Sequence, residues 1–580
     1  MLLLFSFLSF FSINDYYISW SDLSCQTLQR ISAFYFYLVL STLLMIQSYC
    51  LSFFIARFSN PGLSYYFCRN IYFAVMKILQ SAQVKEVDKY TIENEPIHSI
   101  NLMERAAGQI TQWIDRNFSI NKQVSIFVGP GNNGGDGLAV ARQLADSDFR
   151  VNVYLVKISD KLSPDASTNL ERLKKQNKTA IHTIEKGDVM PDVGKGDIIL
   201  DGLFGSGLNR PLEGFPAEVV KHLNQYEATR IAIDIPSGLF GEDNSGNNYD
   251  AVFRADFTLT FQFPSVSFFF PEHQDMTGEW HVLPIGLDSE KIAEIDSPYY
   301  LLTKEFIKQH IKTRKRFDHK GRFGHVLMIT GGYGKMGAAV LASKAALKTG
   351  SGLVTSHIPR LGYDIMQTAI PEVMISLDES DTVFSNPPEL DRFTHVGTGP
   401  GLGTQETTQN ALYKLIDKAN SPLVLDADAL NILSMNKDWL KNLPEGSILT
   451  PHPKEFERLT EQVGNHYNRL QLQMEFAKKY NVYLVLKGGN TSVATPQGNL
   501  YFNVTGNPGM ASGGSGDVLT GMITSLLGQG YDPEMASVTG VYLHGLAGDL
   551  AKEKTGEEAL TASDMIDAIS LAYKHIKEEQ

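Results

Sequence analysis

The stretch VSIFVGPGNNGGDGLAVARQLADSDFRVNVYLV occupies residues 124–156. An apolar, β-prone run (124–128) enters a glycine-rich loop (129–137). A helical pattern (138–146) and a second apolar run (151–156) follow. Strand, helix and strand in that order predict a βαβ unit. Parallel strands are joined by crossovers that cover the sheet, so the unit places the chain in the α/β class. The loop lacks the spacing of a dinucleotide fingerprint, and no Lys followed by Ser or Thr makes it a P-loop. It packs Asn132, Asn133 and Asp136 among five glycines. A plain βα turn needs fewer glycines and no Asn pair. Close backbone approach and amide or carboxylate donors point to a binding site.

Two further strand ends lie downstream. Ile198-Ile199-Leu200 ends on Asp201 and passes into GLFGSGLNRP, and the run 230–235 ends in Asp234-Ile235-Pro236-Ser237-Gly238. Ligands of open parallel sheets collect at the carboxyl ends of strands. Asp136, Asp201 and Asp234 all fall there. Each alone could cap its loop; three converging carboxylates imply a cation or a proton transfer.

A polar connector, residues 287–320, helical around 303–315, puts a boundary near 297–303. A second body opens with GHVLMITGGYGKMGAAVLASKAALKTGSGLVT (324–355), again strand, glycine loop and Ala-rich helix. Later strands end on Asp426 and Asp428, on His452 between two prolines, and on Lys487 in a glycine-flanked turn. Restricted backbone at a strand tip favours a ligand contact for His452 over a structural role. Lys487 suits phosphate neutralisation, with an exposed turn Lys as the plain alternative.

The stretch GNPGMASGGSGDVLTGMITSLLGQG, residues 506–530, then sets a glycine-rich loop before an apolar helix. Backbone N–H groups at the positive end of a helix suit an anion such as phosphate. A carboxylate there would repel it unless it takes a proton from a reacting hydroxyl. Asp517 is thus a candidate catalytic base, or an ordinary capping Asp.

The chain has 580 residues and a net charge of −13, which argues against a nucleic-acid binder. Its three cysteines, Cys25, Cys50 and Cys68, precede Met76, so the body has no disulfide, thiolate metal site or cysteine nucleophile. Residues 1–75 read differently from the rest. Residues 31–56 are charge-free and long enough to span a bilayer. Either they anchor the chain, or Met76 is the natural start and the upstream part is an over-long translation. A cleaved signal fits less well, because the n-region lacks positive charge.

The motifs together carry a family resemblance. GPGNNGGDG, DGLFGSGLNRP and IDIPSG resemble the NAD(P)H-hydrate epimerase domain. GGYGKMGAAVLASKAALKTGSGLV, GTGPGLG, LDADALN, LTPHPKEF, LKGGNT and GNPGMASGGSGD resemble the NAD(P)H-hydrate dehydratase domain, which is ribokinase-like. The ordered set resembles the bifunctional NAD(P)H-hydrate repair enzymes from about Met76 to the C-terminus. It implies two Rossmann-like three-layer α/β/α domains, an epimerase over 76–300 and a dehydratase over 301–580.

The resemblance also implies function. The first domain would interconvert R and S epimers of NADH or NADPH hydrate. The second would dehydrate the S form with ADP, giving AMP and phosphate. Asn132, Asn133, Gly134, Gly135 and Asp136 would bind the hydrate in the epimerase. Gly205, Ser206, Gly207, Leu208, Asn209, Arg210 and Pro211 would join them, with Asp234, also the candidate acid/base. Potassium would be held by Asn133, Asp201 and Ser237. In the dehydratase Lys487, Gly488, Gly489, Asn490, Thr491 and Gly516 would contact the adenine nucleotide. Ala338, Gly401, His452 and Asp517 would line the hydrate site. Magnesium bridging the phosphates, a homo-oligomer and a cytoplasmic location are expected, with membrane contact only if 31–56 is genuine. The rival is a ribokinase-like small-molecule kinase fused to a nucleotide-binding module.

Overall fold

Seven strands of the N-terminal body form one parallel sheet. β2 (Gln123–Val128), β3 (Arg150–Val156), β4 (Ala180–Ile184), β5 (Ile198–Gly202), β6 (Thr229–Ile233), β7 (Phe257–Phe261) and β8 (Glu279–Leu283) run in the order β4-β3-β2-β5-β6-β7-β8. This is a computed structural model, describing residues 75–578 except 96. The candidate membrane stretch 31–56 lies outside the described residues.

Alternation along the strands explains the layering. Val124, Ile126 and Val128 enter one apolar cluster, while Phe127 enters another with Tyr154 and Ile199. Both faces are therefore buried, as a parallel sheet requires. The strand order turns back at β2, with β3 on one side and β5 on the other. Loops leaving β2 and β5 part in opposite directions there and open a crevice.

The helix after β2 begins at Asn132, inside the glycine run read as loop, and ends at Asp146. Gly penalises a helix interior, but packing overrides that here. A Cβ on Gly134 would stand 1.9 Å from the Gly129 carbonyl oxygen, and one on Gly135 would stand 2.9 Å from Met103 Sδ. These glycines serve close approach inside the helix. Upstream stand two helices, Ser81–Asn94 and Ser99–Asn117.

The larger sheet has eleven strands. The strands β10 (His325–Ile329), β11 (Leu353–Ile358), β12 (Met374–Leu377), β13 (His395–Thr398), β14 (Leu423–Leu425), β15 (Ile448–Leu449) and β16 (Tyr483–Leu486) are parallel, ordered β12-β11-β10-β13-β14-β15-β16. β17 (Thr491–Ala494) and β18 (Leu500–Asn503) continue it antiparallel. Leu423 and Leu425 face one cluster and Val424 the other, so this sheet too is covered on both sides.

The outer edge is completed from the N-terminal side. β9 (Tyr299–Leu301) runs parallel to β18, and β1 (Met76–Lys77) pairs antiparallel with β9. β1 thus precedes the N-terminal sheet in sequence but belongs to the other sheet. The bodies also share a core: Phe269 stacks on Phe502 at 4.1 Å and 11°, and Glu272 pairs with His466. Among the described residues no helix is long and apolar enough to cross a membrane.

Candidate active sites

The first constellation stands at the carboxyl ends of β2, β5 and β6. Asp201, the penultimate residue of β5, is fully buried. Its Oδ1 accepts from Ser237 Oγ at 2.7 Å and Leu203 N at 3.1 Å, and its Oδ2 accepts from Ser237 N at 2.8 Å. Burial pushes its carboxyl up to about 6, against the pull of the Ser237 hydrogen bonds. Asp234 follows β6 with φ +66, a left-handed conformation that a non-glycine residue holds at a cost. Its N–H donates to Leu259 O at 2.8 Å, and its Oδ2 accepts from Ser206 N at 3.1 Å.

Asp136 occupies the second turn of the helix Asn132–Asp146. Burial, then the charges of Asp234, Asp88 and Asp165, hold its carboxyl well above the usual range. Asp88, on the helix Ser81–Asn94, is pushed up to about 7 by burial and by Asp234. Asn133 is buried against Gly205, and its Nδ2 has no hydrogen-bond partner. The loop from Gly205 to Pro211 closes the crevice, with Lys85 Nζ 3.4 Å from where a Cβ would stand on Gly207. Asn132, Asn209 and Arg210 are exposed at its edge.

Neither Asp88 nor Lys85 is legible as a site residue in the sequence. They come from an amphipathic helix with no glycine motif. Facing charges, not spacing, are what mark them.

The second constellation surrounds the helix Ser515–Gly528. Gly514 caps it at φ +96, and Asp517 is its third residue. Asp517 is therefore inside the first turn rather than at the capping position. Burial and the Asp426 charge push its carboxyl up to about 6, partly offset by Lys487. Asp426, buried just after β14, accepts from Lys487 Nζ at 2.7 Å and Thr520 Oγ1 at 2.8 Å. A Cβ on Gly516 would stand 3.4 Å from Lys487 Nζ and 3.5 Å from Asp426 Oδ2. The backbone of Gly516 thus runs directly beside that ion pair.

Neighbouring side chains fix this loop. Gly506 N–H and Asn507 Nδ2 each donate to Asp549 at 2.9 Å. His544 Nε2 donates to Ser515 O at 2.9 Å, and burial pushes the His544 imidazole down to about 4, so it is neutral at pH 7. His452 caps the helix Pro453–Leu459 reciprocally with Glu455, and burial is the main cause of its lowered pKa. Ala338 and Gly401 adjoin one another: a Cβ on Gly401 would lie 3.2 Å from that of Ala338.

A cavity of 950 Å³ opens beside Gly516. Its walls include His452, Lys487, Gly488, Gly489, Asn490, Thr491 and Gly516, together with His544. Asp517, Ala338 and Gly401 are not among its lining residues.

Family models match in the same order: "YjeF-related protein N-terminus" over residues 99–267 and "NAD(P)H-hydrate dehydratase" over 326–571. The chain is 35% identical over 520 residues to the bifunctional NAD(P)H-hydrate repair enzyme of Moorella thermoacetica, covering 87% of this chain and 98% of that one. It belongs to the bifunctional NAD(P)H-hydrate repair enzymes.

The repair enzyme of Thermofilum pendens is 33% identical over 522 residues, covering 87% of this chain and 97% of its own. The ADP/ATP-dependent NAD(P)H-hydrate dehydratase of Bacillus subtilis, co-crystallised with ATP/Mg2+, is 30% identical with a TM-score of 0.42, covering 47% of this chain and 97% of its own. In the terms of the repair enzymes, the smaller sheet carries the epimerase half and the larger sheet the dehydratase half.

Proposed function

We propose that the chain interconverts R and S epimers of NADH and NADPH hydrate at the first constellation. At the second it dehydrates the S epimer with ADP, yielding AMP and phosphate. The halves would correspond to residues 76–300 and 301–580, with β1 and β9 at their ends lent to the larger sheet. The observation that carries this reading is Asp517 in the first turn of a glycine-capped helix, beside the Lys487–Asp426 pair.

Water is a poor leaving group, so the hydrate's hydroxyl must be activated. Asp517 takes the hydroxyl proton as the oxygen attacks the terminal phosphorus of ADP, and AMP departs. N–H groups of the first helical turn, unmatched by helix carbonyls, stabilise the phosphoryl charge with Lys487. The carbon–oxygen bond then breaks as the ring nitrogen donates its lone pair. Phosphate leaves, and loss of a proton from the adjacent carbon restores the reduced ring.

A base poised near pH 6 suits this task at neutral pH. Among the described residues no cluster of three or more Asp, Glu, His or Cys could hold a metal. A magnesium ion carried in on the nucleotide's own phosphates would neutralise charge there. Ala338, Gly401 and His452 would line the hydrate's path to Asp517. Residues 487–491 and Gly516 would hold the nucleotide.

In the epimerase half, Asn132 to Asp136 and the loop Gly205–Pro211 would enclose the hydrate. Asp234 would exchange protons with it. Asn133, whose buried amide has no partner in the protein, would join Asp201 and Ser237 as oxygen donors once its carbonyl end is turned in. An oxygen-rich set of that kind suits potassium, whose charge would offset the crowded carboxylates. The chain would act in the cytoplasm, where its substrates arise, and as a homo-oligomer, which sedimentation equilibrium tests.

Two variants test the assignments. Asp517→Asn keeps nucleotide binding and loses dehydration; undiminished turnover would remove Asp517 from the base role. Asp234→Ala loses R-to-S conversion while dehydration of the pure S epimer continues, and intact conversion would withdraw that assignment.

A further inference from the structure

The cavity beside Gly516 is not built by the dehydratase half alone. Beyond the loop Lys487–Thr491 its wall is made by Phe268, Phe270, Pro271, Gln274 and Trp280, all from the epimerase half. We propose that this wall, centred on Trp280, is the adenine subsite of the dehydratase, so that the epimerase half sets nucleotide affinity at the other half's active site. The inference rests on the nucleotide reading of that cavity.

Three observations carry it. The first is direction. The reacting phosphoryl group must lie by Gly516 and Lys487, next to Asp517. Of the residues assigned to the hydrate, Ala338, Gly401 and Asp517 are absent from the cavity's lining, and His452 is shared with it. The space running from Gly516 toward the epimerase half is therefore left for the nucleoside end of ADP. The second is chemistry. Trp280 is half-buried, stacked edge-on against Phe269 at 5.6 Å and tilted against Phe268 at 6.1 Å. A fixed indole at the wall of a cavity lined partly by polar groups is the surface a purine base stacks on.

The third is rigidity. The wall is held to the dehydratase half by the Phe269–Phe502 stack, by the Glu272–His466 pair, and by a hydrogen bond from Asn490 Nδ2 to Phe269 O at 3.2 Å. Asn490 belongs to the loop expected to hold the nucleotide, so that loop and the aromatic wall are positioned by one another. A pre-ordered wall loses little freedom when the base arrives.

The test uses the full chain. Trp280→Ala should raise KM for ADP about tenfold, the size of one lost base-stacking contact. Trp280→Phe, which keeps an aromatic face, should restore most of the affinity. KM for the hydrate and the R-to-S conversion rate should not move. Because Trp280→Ala could loosen the shared core, Gln274→Trp serves as a second variant. Gln274 is exposed, and a larger ring there narrows the same wall and should also raise KM for ADP.

An unchanged KM for ADP in Trp280→Ala with a wild-type melting temperature, or in Gln274→Trp, would overturn the subsite. Equal rises in KM for ADP and for the hydrate would overturn it too. Failure of the wild-type chain to turn over hydrate with any nucleotide would instead remove the dehydratase reading beneath it.

Discussion

Replacing Asp426 by Asn should shift the acidic limb of the dehydration profile to lower pH. Asp517 must be ionised to take a proton, so turnover falls as pH drops through its pKa of about 6. Burial sets most of that value. Asp426 raises it further, and Lys487 lowers it. Both charges lie within 3.5 Å of the Cβ position of Gly516, the residue before Asp517. At about 6 Å and an effective dielectric of about 20, one unit charge is worth roughly 2.8 kcal/mol, or about 2 pK units. Asp517 is only half-buried, so solvent screening reduces this to about one unit.

Asn at 426 keeps an acceptor for Thr520 and leaves the Lys487 charge freer to act on Asp517, which pulls in the same direction. Glu455, 4.0 Å from Lys487 Nζ, remains to balance that lysine. The limb should fall to about pH 5, so that at that pH the variant loses about half its activity where the wild type loses about nine-tenths. Initial rates of absorbance recovery at the reduced-nicotinamide band, with saturating ADP between about pH 5 and 8, read the shift. A limb that stays in place or moves upward would show that Asp517 is not the titrating base.

Three other outcomes follow from the geometry. Gly134→Ala places a methyl 1.9 Å from the Gly129 carbonyl oxygen; R-to-S conversion should fall at least about tenfold with a lowered melting temperature, an overlap costing roughly 1–3 kcal/mol. Phe269→Ala removes a buried ring stacked at 4.1 Å on Phe502; it should cost about 3–5 kcal/mol and split the calorimetric transition in two. Potassium should raise the melting temperature by several degrees over choline at saturation, as about 2–3 kcal/mol of linked binding would. Asp201→Ala should abolish that rise.

The placement of the candidate site residues was legible because they lie at strand ends. Asp201, Asp234, Asp426 and Lys487 each follow an apolar run, and the run itself places them on the ligand side of a parallel sheet. Local readings failed where tertiary packing overrode propensity. The glycines around Asp136 looked like loop, yet they lie in a helix because its backbone touches Gly129 and Met103.

Pairings across the chain left no local signal. Nothing in Met76-Lys77 announces that it adds a strand to a sheet whose other members begin more than two hundred residues later. Likewise, nothing in the sequence around Phe268 and Trp280 announces that they reach the cavity of the second body. Asp88 and Lys85 acquire meaning only once their helix is packed against the crevice.

In the proposed function one chain returns both hydrate epimers to the reduced cofactor through transient phosphorylation. Incubating the purified chain with a mixture of R and S NADH hydrate and ADP tests it most directly. Full recovery of absorbance at the reduced-nicotinamide band is expected, with one AMP and one phosphate released for each NADH restored. A stable phosphorylated hydrate, or no recovery, would contradict it.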